Sequence, residues 1–234
     1  MKTIRIIFML ITIIIINSVS ALAAGKLAVV KENFHVINML SSIYGYAYAR
    51  VQNIGDKPMK VNAGLLEIFD ANGNTLTSDD YISLYAEYLN PGEYTYAYIY
   101  EEVEGVNNPE VVHNYLLTIS GKSDMDSITY RLPVETAYTP EVSNGLWNED
   151  YMLAGVTNNY NQVLFGVEVV MVLLDNQDNI LYIAHDDMYS SKGISPGSSV
   201  VFRQEIPSNF KEYFAKKGYV PSRVDAIAFI NVRQ

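Results

Sequence analysis

The chain is organised by short runs that alternate apolar and polar positions with a period of two. Residues 43–51 set the pattern: Tyr44, Tyr46 and Tyr48 fall on one side, and Gly45, Ala47 and Ala49 on the other. Successive side chains leave a strand on opposite faces, so this alternation predicts a β-strand. Residues 94–100 repeat it, with Tyr94, Tyr96, Tyr98 and Tyr100 on one face. Further strands are predicted at 27–30, 34–37, 59–69, 75–78 and 115–120, then at 128–134, 152–158, 180–184, 200–204 and 224–232. The nearly unbroken apolar run 163–174 predicts a central strand buried on both faces. One segment, 210–218, has a helical pattern. Phe210, Tyr213 and Phe214 share a face, Lys216 and Lys217 stand in the last turn, and Gly218 supplies the C-cap.

The punctuation between these runs occurs twice. Val51-Gln52-Asn53, the run ending in Phe69-Asp70, and Leu89-Asn90-Pro91-Gly92 return as Val156-Thr157-Asn158, the run ending in Leu174-Asp175, and Ile194-Ser195-Pro196-Gly197. Asn53 to Asn158, Asp70 to Asp175 and Pro91 to Pro196 are each a step of 105 residues. Three anchors at one offset, with apolar runs in phase, imply two copies of one small β domain. About six or seven short strands per copy is the sandwich pattern. The expected layout is a signal segment over 1–23, a first sandwich over 24–122 and a second over 123–234. The anchors read as structural. Asn53 and Asn158 bond backbone at strand ends, Asp70 and Asp175 shape hairpins, and Pro91-Gly92 and Pro196-Gly197 make turns. Asn72-Gly73 suits a hairpin in which both residues take positive φ.

These residues resemble the FxLYD domain, a small immunoglobulin-like β-sandwich of secreted bacterial and archaeal proteins. The name-giving motif stands here as Leu66-Glu67-Ile68-Phe69-Asp70 and Met171-Val172-Leu173-Leu174-Asp175. Neither copy begins with Phe, and Phe69 and Leu174 hold the Tyr position. The resemblance implies an all-β protein of two tandem immunoglobulin-like sandwiches, and it implies no catalytic residues. The short helix in the second sandwich is read from the pattern alone.

Composition narrows the function. Lys2 and Arg5 precede the apolar run 6–16, and Ala21-Leu22-Ala23 is a small-x-small cleavage triplet, so a secretory signal cut after Ala23 is expected. The mature chain is then secreted, extracellular and without a membrane anchor. The chain has no cysteine, so each sandwich folds on its apolar core without disulfides. Losing the signal leaves 14 basic against 26 acidic residues, a net charge of −12. That excess argues against nucleic acid and anionic membranes as partners. His35, His113 and His185 are far apart, and no nucleophile or phosphate-loop pattern is present. His185 beside Asp186 offers an orienting pair without a nucleophile. No enzyme, no cofactor and no metal are expected. Asp79-Asp80, Asp186-Asp187 and Asp175 with Asp178 offer carboxylates to calcium, but they lack the calcium-loop spacing.

The tyrosines are the most unusual feature, 19 against 8 phenylalanines. The two tyrosine strands are expected to lie side by side. The small residues opposite them make a thin core. The tyrosines therefore read either as packing, in a core or between the domains, or as a face that binds a sugar ring or a protein. In the second reading Tyr94, Tyr96, Tyr98 and Tyr100 are the ligand-binding residues. Trp147, beside Leu146, is expected in a core or interface. The function expected is a non-catalytic binding or spacer module acting outside the cell on an unknown protein partner. The alternative is a glycan-binding module that uses the tyrosine strands.

Overall fold

The alternating runs pair into four antiparallel sheets. The computed structural model describes residues 25–39, 42–123, 127–143, 148–188 and 192–233. The expected signal segment, Leu146 and Trp147 lie outside the described residues. The first half contains β1 (Leu27–Met39), β2 (Ser42–Asn53), β3 (Met59–Phe69), β4 (Thr75–Asp79), β5 (Ser83–Leu84), β6 (Tyr88–Leu89), β7 (Tyr94–Glu102) and β8 (Asn114–Lys122). One sheet runs β1-β2-β7-β5, and the other is β3 with β4, β6 and β8. The second half contains β9 (Ser127–Leu132), β10 (Val134–Ser143), β11 (Asn148–Thr157), β12 (Val167–Asp175), β13 (Ile180–Met188), β14 (Ser199–Glu205), the helix α1 (Ser208–Lys217) and β15 (Pro221–Arg233). Its sheets run β10-β11-β14 and β13-β12-β15-β9. The protein is all-β, with its sheets packed as sandwiches.

Pairing repeats at the sequence offset. Met59 faces Leu89 in the first half, and Leu164 bridges Ile194 in the second. Four details differ from the sequence expectation. Segments 27–30 and 34–37 are one strand, bulged between Val29 and Lys31. The run 163–174 becomes strand only at Val167; Val163 and Phe165 flank the single bridge residue Leu164 and are 39% and 58% exposed. In the first hairpin only Gly73 is left-handed, with φ 82°. Its counterpart 105 residues on, Asp178, holds a similar φ of 63°. The last difference lies at Pro133. In the first half the chain stays beside β2 back to Lys26, whose carbonyl accepts from the Ile54 N–H at 2.8 Å. In the second half Pro133 separates β9 from β10, so β9 pairs β15 in one sheet while β10 pairs β11 in the other. Proline has no N–H for a ladder and a fixed φ, which favours the crossing there.

The first sandwich is filled by small residues. Ala47, Ala49, Val51 and Ala97 face Val61, Leu66, Ile68 and Leu89, all buried. The thin face is the interior, and Gly45 lets the sheets close: a Cβ there would stand 2.5 Å from Ile68 Cδ1. The second sandwich is bulkier. Every residue of β12 except Glu168 is buried, as expected for a strand covered on both faces. In α1, Phe210 and Phe214 are buried, and Gly218 closes the helix in the left-handed region with φ 72°.

Candidate functional site

The repeated anchors make the same local networks twice. Asn53 is fully buried; its Nδ2 donates to the Lys57 and Leu89 carbonyls at 2.7 and 3.0 Å, and its Oδ1 accepts from the Gly55 N–H. Asn158, equally buried, donates to the Gln162 and Ile194 carbonyls, both at 2.8 Å, and accepts from the Tyr160 N–H. The backbone carbonyls of Asn53 and Asn158 accept from Gly92 and Gly197, which ties the Pro91-Gly92 and Pro196-Gly197 turns to the strand ends. Asp70 accepts from the Asn72 and Asn74 N–H groups and the Asn74 amide. Asp175 does so from Gln177 and Asn179. The bonds from Asn74 hold the Asp70 carboxyl below its ordinary pKa. Burial raises that of Asp175, but the bonds from Asn179 and Gln177 outweigh it and the net shift is downward. All these groups complete turns.

The tyrosine strands pair as expected. Tyr46 stands opposite Tyr100, Tyr48 opposite Tyr98, and Arg50 opposite Tyr96. Their common face is not open. It meets β13, β15 and α1 of the second half and joins that half's apolar cluster. Tyr48 and Tyr96 are 1% and 2% exposed, Tyr94 and Tyr98 are half-buried, and only Tyr100, 47% exposed, faces solvent. The expectation of four ligand-presenting tyrosines is corrected to this extent: three of the four are covered by the second half. Large rings outside a small-residue interior need another surface, and the second half supplies it. Tyr96 and Tyr94 donate to Asp225 Oδ2 at 2.6 and 3.2 Å. Burial and the Asp225 charge raise the pKa of both phenols. Tyr46 packs edge-on to Phe210 at 5.1 Å between centroids.

His35 is the most enclosed polar group of this seam. It is fully buried among Tyr48, Tyr213, Phe214 and Tyr219. Its Nε2 lies 3.0 Å from the Ile180 carbonyl, to which Asn33 Nδ2 also donates at 2.8 Å. A carbonyl only accepts, so Nε2 carries the proton. Nδ1 is then bare, and it has no partner. Burial lowers the His35 pKa to about 4, against a smaller upward effect of the Ile180 bond. His185 stacks on Tyr85 at 4.1 Å, and its Nε2 meets Glu168 Oε2 at 3.2 Å; Glu168, not the neighbouring Asp186, is its partner.

Among the described residues, two cavities on the seam stand out. The larger, about 650 Å³, lies between β1, the single turn Pro109–Val111 and α1, and Asn38, Asn209 and Lys216 line it among others. The smaller, about 340 Å³, has Tyr96, Leu174 and Ile180 in its lining together with Lys31, Arg50 and Arg223. Sequence reasoning missed this second group. Arg50 was within reach of it: it continues the parity of Tyr44, Tyr46 and Tyr48 and so shares their face. Lys31 and Arg223 are brought there only by the packing of the two halves. Among the described residues no three His, Asp or Glu side chains stand close enough to hold a metal ion. No described helix is long and apolar enough to cross a membrane. No family model matches the chain, and no curated protein matches it.

Proposed function

We propose that this is a secreted, non-catalytic binding or spacer module that acts outside the cell, built from two immunoglobulin-like sandwiches of the FxLYD kind. The two halves work as one unit, and ligands meet them along their seam. The observation that carries the reading is the tyrosine face. Tyr48 and Tyr96 are buried against the second half, and Tyr94 and Tyr96 both donate to Asp225. Interdomain contacts this apolar fix the relative placement of domains, where polar ones leave them free to move. A fixed pair holds clefts and outer surfaces in constant register, which suits binding or spacing. Small-angle scattering on the mature chain tests this. One compact particle is expected; a profile of two separately moving bodies contradicts the reading.

The glycan-binding alternative is favoured by one observation, the uncovered end of the tyrosine ladder. Tyr100 is exposed and stacks on Tyr46 at 5.3 Å, with Tyr44 beside both. A sugar platform at that end predicts that Tyr100→Ala abolishes retention on a glycan array while the fold is unchanged.

A further inference from the structure

We propose that the smaller seam cavity is an oxyanion site, and that its ligand is a carboxylated sugar of uronic-acid type held by Arg50 with Lys31 and Arg223. The proposal deepens the binding-module reading and rests on it. Its starting point is a mismatch of charge. The mature chain is strongly acidic, yet three cations from distant positions converge on one cavity. The one carboxylate in the lining, Asp178, is engaged by Arg223 at 2.7 and 3.2 Å. Asp225, near the floor, accepts the Tyr94 and Tyr96 hydroxyls and the Ala226 N–H. Lys31 donates to the Gln177 carbonyl, and its charge also acts on the nearby Asp175 carboxylate.

Arg50 is the centre of the site. It is half-buried, its guanidinium lies 3.6 Å above the Tyr94 ring, and its Nε is buried with no hydrogen-bond partner. The stack holds the guanidinium plane in place without using its donors. A guanidinium presents a planar fork that matches a carboxylate in a bidentate pair, and half-burial strengthens the bond. The rest of the lining suits a sugar. Gln52 adds polar atoms on the same strand face, and Tyr96, Leu174 and Ile180, each 1–3% exposed, close the floor beneath them. About 340 Å³ lies within the range of small-molecule sites.

The test is titration calorimetry on the whole mature protein with galacturonate, with neutral galactose and with sulfate. Galacturonate is expected to bind, sulfate to compete with it, and galactose not to bind. Arg50→Met keeps an apolar stem over Tyr94, and Arg223→Met removes the second cation. Each is expected to weaken galacturonate about tenfold or more, the effect of losing one charge-assisted hydrogen bond. Arg203→Met is the control, because Arg203 also covers a tyrosine, Tyr151 at 4.0 Å, but lies outside the cavity. It should bind as the parent does. Equal binding of galactose and galacturonate overturns the oxyanion assignment while leaving a sugar-binding module standing. Sulfate binding without galacturonate binding contradicts the sugar and shows an anion site only. Undiminished galacturonate binding by Arg50→Met, or no binding of any probe, overturns the site; the scattering experiment decides the module reading separately.

Discussion

The interior positions Ala47, Ala49, Val51 and Ala97 of the first sandwich correspond, 105 residues on, to Met152, Ala154, Val156 and Phe202 of the second, and all eight are buried. The outward positions diverge further. Tyr94, Tyr96, Tyr98 and Tyr100 correspond to Ser199, Val201, Arg203 and Glu205, and Val201 is 66% exposed. The fold therefore does not need tyrosine on the outer face of this sheet. The copy that turns that face to its neighbour has the rings; the copy that turns it to water has Ser199, Arg203 and Glu205 with one exposed valine. The first sandwich keeps a slender core and places its large apolar area in the seam, so its stability depends on the second.

The largest effect expected from this contrast is at Tyr96 and its counterpart. Tyr96→Ala should lose about 3–5 kcal/mol, the range for deleting a fully buried aromatic ring. Val201→Ala should stay within about 0.5 kcal/mol, as exposed substitutions do. Urea unfolding of both variants measures the difference, and equal losses would break the assignment of the seam. Acid should act on the same surface. His35 has a pKa of about 4 when folded and near 6.5 when unfolded, because burial disfavours the imidazolium. The unfolded chain therefore takes up the proton first. The contribution is complete above pH 6.5, declines as pH falls, and is gone near pH 4, a change on the order of 3 kcal/mol. Denaturant midpoints at several pH values should show this slope in the parent, and a His35→Phe variant should flatten it. The smallest effect is where the halves agree. Asn53→Ala and Asn158→Ala should each cost about 1–3 kcal/mol, since each strands one buried carbonyl, that of Leu89 or Ile194, beside a carbonyl and an N–H that are only part-buried. Similar losses in thermal unfolding would support the equivalence of the two networks, and a large loss at one site alone would end it.

The strands, the repeat and the turn networks were legible because each is local. Period-two alternation, an Asn at a strand end and Pro-Gly need only neighbouring residues to act. The pairing of the two tyrosine strands was legible too, since tyrosines recur in phase on both. What covered the tyrosines was not. Asp225 lies 129 residues from Tyr96, and nothing at 225 in the sequence marks it as the acceptor of a buried phenol. The basic cavity was hidden for a like reason. An acidic total drew attention from cations, and Lys31 and Arg223 reach Arg50 only once β1, β2 and β15 are docked. Val163 and Phe165 misled in the opposite sense: apolar and next to a buried strand, they flank the bridge residue Leu164 and stay exposed.

Residue-resolved nitration of the mature protein tests the central claim most directly, because it reads which tyrosine rings solvent reaches. Tyr81, 76% exposed, and Tyr100 should react readily, while Tyr48 and Tyr96 stay protected until the protein unfolds. Ready nitration of Tyr48 and Tyr96 in the native protein would mean an open tyrosine face and would contradict the seam.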